Sequence, residues 1–256
     1  MEGIFKILGT GGSMGIPVIG CTCSVCLSND PKDQRTRSGC LVSYQGKKIL
    51  IDASQDYRSQ ALKYQINDLD GVIFTHGHHD HTAGIDDLRV YKKQIPCLLS
   101  KETYEDLNVR YHYIFSPKKG SKSLVARLDP QLLEGDCGFT EFCGLPIKYH
   151  SFYQVGMKVN GFRLGNLAYV SDIKEYKEDL FEKLHGVDTL ILSALRYGPS
   201  IFHLSIDEAV AFSRKIQPKE TWLTHIAHEL ETKSTEEYLP SDIRLAYDGL
   251  ELKFSV

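Results

Sequence analysis

A six-residue run, His76-Gly77-His78-His79-Asp80-His81, limits what this chain can fold into more than any other stretch of it. His76, His78, Asp80 and His81 pack imidazole and carboxylate groups into one turn, and that ligand set holds divalent transition metals. The run follows the apolar Val72-Ile73-Phe74, which reads as a buried strand, and precedes Thr82-Ala83-Gly84, which opens a helix-like segment. The ligands therefore fall at the carboxyl end of a strand, on a loop of the kind that carries chemistry on a rigid scaffold. His79 occupies the variable position inside the run and is not counted as a ligand.

A site built only from residues 76 to 81 is incomplete if two ions are to be held. Three later residues, each just after or at the end of an expected strand, can complete it: His150, Asp172 (in Tyr169-Val170-Ser171-Asp172) and His225 (in Trp222-Leu223-Thr224-His225). Together they add an aspartate able to bridge two ions and one histidine for each, as a dinuclear hydrolytic site requires. A second constellation is Cys21-x-Cys23-x-x-Cys26. Three thiolates this close cannot all reach good disulfide geometry with one another, but they can converge on a tetrahedral zinc. The fourth ligand must come from elsewhere, and His228, three residues beyond His225, is the best candidate. A Cys3His site has no open position, so its role is structural, tying the 20–40 loop to the C-terminal region. The cysteine count, seven, is odd, and with no export signal it favours thiols or metal ligands over a disulfide framework. Cys40, Cys97, Cys137 and Cys143 stand singly and read as small buried residues.

At 256 residues the chain can bury a sizeable core as one large domain or two small ones. Strands recur with helices between them and no linker interrupts them, so one α/β domain over 1–256 is expected, with a loop insertion at about 20–40. Gly9 to Gly15 lacks the Gly-Lys-Ser/Thr ending of a phosphate-binding loop and reads as a tight turn towards an active-site edge. Cys40–Tyr44 and Lys48–Ile51 read as a hairpin, Ile147–His150, Met157–Leu164 and Leu167–Val170 as strands, and Glu175–Leu184 as a helix. Ser205 with Glu208 makes a capping box for a helix running to about Ile216. Asp248-Gly249, between Ile243–Ala246 and Leu250–Phe254, carries a two-residue hairpin signal. Residues 109 to 122, with Lys118-Lys119, read as a loop or lid. A net charge of −3 argues against broad nonspecific nucleic-acid binding. The N-terminus has no signal-peptide core and no apolar run approaches 18 residues, so a cytoplasmic, soluble protein is expected.

With these residues in view the chain resembles the metallo-β-lactamase superfamily, and within it the cyclic phosphodiesterases of the PhnP-like group. The resemblance is carried by Leu8-Gly9-Thr10-Gly11, Gly20 to Cys26, Ile51-Asp52, His76 to His81, His150, Tyr169 to Asp172, Thr224 to His228 and Tyr247-Asp248-Gly249. The histidine motif marks only the superfamily, whereas the cysteine loop paired with His225-x-x-His228 is more specific to the group. The resemblance implies a four-layer αββα sandwich. It also implies His76, His78 and His150 on one ion, Asp80, His81 and His225 on the other, Asp172 bridging, and Cys21, Cys23, Cys26 and His228 on a structural zinc. Zinc or manganese is the expected active-site metal, with iron or nickel as alternatives. Asp80 would orient the nucleophile, and His203 falls where the family places a histidine near the phosphate. The expected substrate is a small phosphodiester, without a membrane, with nucleic acid less favoured, and with room for a homodimer. The competing readings are a transfer-RNA 3′-processing nuclease, a thioester hydrolase and a metal-binding accessory protein of cofactor biosynthesis.

Overall fold

The computed structural model describes residues 1–116 and 124–256. The first part of the chain supplies β1 (Glu2–Gly9), β2 (Gly39–Tyr44), β3 (Lys47–Ile51), β4 (Gly71–Ile73), β5 (Gln94–Ser100) and β6 (Arg127–Leu133). Among them lie α1 (Tyr57–Lys63), α2 (His79–Thr82), α3 (Lys101–Arg110) and α4 (His112–Phe115). The second part supplies β7 (Cys137–Phe142), β8 (Leu145–Gln154), β9 (Met157–Leu164), β10 (Leu167–Val170), β11 (Thr189–Ser193), β12 (Glu220–Thr224), β13 (Ile243–Leu245) and β14 (Glu251–Ser255). Its helices are α5 (Asp179–Leu184), α6 (Ile206–Ile216) and α7 (Thr232–Tyr238). The described strands form two seven-stranded sheets, in the orders β14-β1-β2-β3-β4-β5-β6 and β13-β12-β11-β10-β9-β8-β7.

Side-chain alternation along the strands explains the layering. On β3, Ile49 and Ile51 enter the core between the sheets, while Leu50 points the other way onto helices, beside Tyr57 of α1 and Leu107 of α3. On β10, Leu167 and Tyr169 face the first sheet, while Ala168 and Val170 face Phe212 and Ile216 of α6. Both sheets thus bury two faces, giving the αββα order of layers and the continuous apolar runs of doubly covered strands. Ser205 caps α6 as its sequence requires, accepting from the Glu208 amide while the Glu208 carboxylate accepts from the Ser205 amide.

Four expectations about the elements change. Asp248-Gly249 does not close a hairpin: β13 and β14 belong to different sheets, and the segment crosses between them. The Asp248 carboxylate anchors the crossing by accepting from the amides and hydroxyls of Thr10 and Thr36 at 2.7–2.9 Å. β8 extends four residues beyond His150, to Gln154, before the turn at Val155-Gly156, where both residues have positive φ as a type I′ turn demands. α5 begins only at Asp179, because Glu175 is held in a bridge to Tyr153. Of the lid candidate, residues 109–110 complete α3 and 112–115 form α4, while 117–122 lie outside the described residues. β6 and β7, the outer strands of the two sheets, had no strand signal because an edge strand need bury little; most of β6 is exposed.

Candidate metal centres

The histidine run leaves β4 and meets the ends of strands from both sheets. Asp52 follows β3, Asp172 lies just beyond β10, His225 follows β12, and Gln154 ends β8. Three of these, Asp52, Asp172 and His225, have left-handed backbone, with φ of 61°, 58° and 58°. That conformation costs a non-glycine residue about 1 kcal/mol or more, so three buried instances around one point mark a site that the surrounding fold holds in place. At Gly77 a Cβ would lie 2.1 Å from Asp106 Oδ2 on α3, so a larger residue there would have to displace the Asp106 carboxylate.

Five imidazoles form a chain across the site, with ring centroids 4.7 Å apart for His78 and His76, 4.3 Å for His76 and His81, 5.7 Å for His81 and His225, and 4.6 Å for His225 and His203. Asp172 addresses two of them with separate oxygens: Oδ2 lies 3.2 Å from His81 Nε2 and Oδ1 lies 3.2 Å from His225 Nε2. Asp80 Oδ2 lies 3.4 Å from His225 Nε2 and 3.8 Å from His81 Nε2. Ligand atoms at the corners of a tetrahedral site with bonds of about 2.1 Å stand about 3.4 Å apart. The donor set therefore has the spacing of a metal centre, and His81 Nε2, buried with no hydrogen-bond partner, has the lone pair such a centre would use.

Buried neighbours set which nitrogen faces inward. His81 Nδ1 donates to Asp52 Oδ2 at 2.7 Å, leaving Nε2 for the centre. Asp52 also accepts from the Thr75 hydroxyl at 2.8 Å, and with that hydrogen committed the Thr75 oxygen can accept from His76 Nδ1 at 2.9 Å. One carboxylate thus orients two imidazoles, as outer partners of metal-bound histidines do. Burial favours the neutral acid of Asp172, but His225 and His81 outweigh it and hold its pKa well below the usual range. The same balance lowers Asp80, with His81 and then His225 opposing burial. Burial, with His225 beside it, pushes His203 down to about 4.

The sequence candidates fall out unevenly. His76, His78, Asp80, His81, Asp172, His203 and His225 come together. His81 groups with His76 and Asp172 as closely as with Asp80 and His225, so the structure does not divide the ligands cleanly between two ions. His150 is the correction. It lies on a wall with Cys137, Asp179 and Lys183, and its charge environment is set by Lys183, Arg163 and Lys148, not by the site carboxylates. Four residues of extended strand, about 13 Å, separate it from the end of β8. Gln154 occupies that end, lining a cavity of about 410 Å³ with His78, Asp80, Asp172, His203 and His225. Gly12 to Gly15 form another wall of it, as the tight-turn reading expected. Two contributors had gone unassigned: Asp52, whose signal was its position directly after a strand, and Gln154, which carries no sequence signal of metal binding.

The cysteine cluster forms as read. Cys21, Cys23 and Cys26 Sγ lie 3.3, 3.4 and 3.5 Å from His228 Nδ1, against about 3.6 Å for sulfur and nitrogen on one tetrahedral zinc. The Cys26 amide, donating to Cys23 Sγ, and His228 lower the Cys23 thiol to about 6, while burial raises Cys26 to about 11. The bridge between Gly11 and Ile226 holds the segment after β12 against the N-terminal turn and so brings His228 to the loop.

Residues 47–226 match the model of the Beta-lactamase superfamily domain. A crystal structure of a diphosphatase from the PhnP family superposes with a TM-score of 0.91 and 34% identity, covering 99% of this chain and 98% of that one. The octanoyltransferase of Porphyromonas gingivalis is 33% identical over 255 residues, which is 96% of this chain and 50% of that protein, so the chain spans half the length of this relative. The zinc-bound PqqB of Methylobacterium extorquens shares the fold at a TM-score of 0.77 and 21% identity, over 97% of this chain and 99% of that one. The chain belongs to the metallo-β-lactamase superfamily and, within it, to the PhnP-like group. In that superfamily the fold is built around divalent metal, and the donor set above fits it.

Proposed function

We propose that this chain is a metal-dependent hydrolase of small phosphodiesters, with two divalent ions, zinc or manganese, in the cavity and a structural zinc on the cysteine cluster. The observation that carries the reading is the convergence of Asp80 and Asp172 with His81 and His225, at tetrahedral spacing, on a cavity whose wall holds His203. The PhnP-family relative is a diphosphatase, which supports phosphorus as the atom attacked. Ions bound there would supply an acidified water and neutralise charge on the phosphoryl oxygens.

The chain's own groups do the rest. Asp172, which groups with His76 and His81 and also with His203 and His225, would be the carboxylate shared between the ions. Asp80, ionised at neutral pH, orients the attacking water and can take its proton. The water oxygen bonds to phosphorus, and the bond from phosphorus to the leaving oxygen breaks on the opposite side. His203, 3.6 Å from Asp172 Oδ1, is placed to hydrogen-bond a phosphoryl or leaving oxygen. Arg196 lines the same cavity and can attract the substrate's negative charge.

A substrate panel on metal-loaded protein tests this: bis-p-nitrophenyl phosphate, nucleoside cyclic phosphates, a nucleoside diphosphate, a thioester and a precursor transfer RNA. Turnover of the small phosphorus substrates is expected. Cleavage of the thioester or the transfer RNA alone would overturn it, and cleavage of none would favour the accessory role.

A further inference from the structure

Where a histidine was expected to face the first ion, the fold presents an amide. Gln154 is buried to 3% exposure at the tip of β8, on the same cavity as His78, Asp80 and Asp172. The two ends of its amide are treated differently. Nε2 lies 3.0 and 3.1 Å from the ring nitrogens of His203, so the NH2 group is engaged there, whereas Oε1 is buried with no hydrogen-bond partner. A buried carbonyl oxygen without a donor is destabilising by about 1–3 kcal/mol, and an amide oxygen is a competent ligand for a hard cation. The donors are also grouped unevenly. Asp80, His81 and His225 converge with Asp172, whereas His78 stands outside those groups, with its Nδ1 2.9 Å from His76 Nε2, and lines the cavity with Gln154.

We propose that Gln154 Oε1 completes the His76, His78 and Asp172 side as a neutral oxygen ligand, making the dinuclear centre unequal: one tight ion, and one weaker ion that favours manganese over zinc. The inference rests on the two-ion reading above and specifies it. The amide replaces a soft, strongly binding imidazole with a hard, weakly binding oxygen, so the affected site loses affinity and gains preference for oxygen-loving metals. It also couples that site to His203, because one amide holds both. The weaker ion would come and go with metal supply, while the tighter one remains.

The test is metal binding, read independently of turnover. Protein stripped of active-site metal, but retaining its cysteine-bound zinc, is titrated with Mn2+ by calorimetry, and the Mn2+ pair is followed by its exchange-coupled paramagnetic resonance signal. Two affinities differing by roughly 100-fold are expected in the wild-type protein, the scale on which metal-site perturbations act. Gln154→His should tighten the weaker ion about tenfold and reduce the preference for Mn2+ over Zn2+; Gln154→Ala should weaken the same ion about tenfold, leaving the tighter one unchanged. Gln154→Glu, similar in size, should tighten the weaker ion and guards against a folding failure in the other variants. Two equal affinities in wild type, or a Gln154→Ala protein that binds both ions unchanged, would overturn the proposal while leaving the hydrolase reading intact. Failure to bind any ion outside the cysteine cluster would overturn both.

Discussion

The two ligand clusters of this protein sit only three residues apart at His225 and His228, yet they are built on opposite plans. Three of the four residues of the cysteine cluster come from six consecutive positions, and the fourth, His228, reaches them from the segment after β12. The histidine site gathers side chains from the ends of five strands in two sheets, stores left-handed backbone at three of them, and opens onto a cavity. A closed cluster can be made by a loop that folds around its ion, so its geometry follows from local spacing. An open one must be held by the scaffold, because a vacant position for substrate survives only if the protein does not collapse into it. On the proposed reading, the first cluster contributes stability and the second chemistry.

Exchanging one ligand in each cluster should separate those contributions most sharply. Asp172→Ala removes the carboxylate that groups with His76 and His81 and also with His203 and His225. Turnover of a small phosphodiester should fall by about 10³-fold or more, with at least one active-site ion lost by elemental analysis and little change in melting temperature of the metal-free form. Retained turnover in metal-loaded protein would end the mechanism. Cys23→Ser should do the reverse. It should lose one zinc per chain and destabilise the fold by on the order of 4 kcal/mol, a fall in Tm of roughly 8–16 °C for a chain of this length. Unchanged zinc content would show that the cluster does not hold the metal.

What could be read in advance follows the same division. The cysteine site was legible because its ligands are chemically unmistakable and near in sequence. The histidine run and Asp172 were legible because strand ends announce themselves by apolar runs. His150 misled because sequence alternation does not say where a hairpin turns. Phe152, buried like His150 and Gln154 on the same face, continues the strand pattern past His150, and the left-handed pair Val155-Gly156 ends it. Gln154 was invisible, since an amide is an ordinary residue until its oxygen is found buried and unpartnered. Asp248-Gly249 carries the chemistry of a hairpin turn, but the long-range hydrogen bonds from Thr10 and Thr36 hold it where the chain crosses to the other sheet. Long-range partners of this kind decide a local signal and are absent from it.

Asp52 tests whether the open centre depends on its supports as much as its ligands. Asp52→Asn keeps the shape but weakens the acceptor for His81 Nδ1 and for the Thr75 hydroxyl that braces His76. A loss of about 100-fold in metal affinity or turnover is expected, the upper end of such effects because two imidazoles lose their orientation together. The cysteine-bound zinc should be untouched. A variant with wild-type metal affinity would mean that the ligand spacing alone fixes the rings.

His150 gives the smallest effect and the cleanest contrast with the histidines of the centre. His150→Ala should leave the number of bound ions and the turnover at pH 7.5 unchanged, because the residue lies along β8 away from the site. Its expected signature is in acid. Burial, with Lys183 and Arg163 nearby, lowers His150 from 6.5 to about 4, so the folded protein binds fewer protons than the unfolded chain between those values. Stability contributed by keeping the ring neutral is therefore present above pH 6.5 and lost as the pH falls towards 4. At pH 5 the linkage amounts to roughly 2 kcal/mol, and the alanine variant should show a correspondingly flatter loss of stability from pH 7 to 5 in denaturant titrations. A steep acid limb in the variant would mean that other groups set it. A drop in bound metal would instead return His150 to the centre, against the register that places Gln154 there.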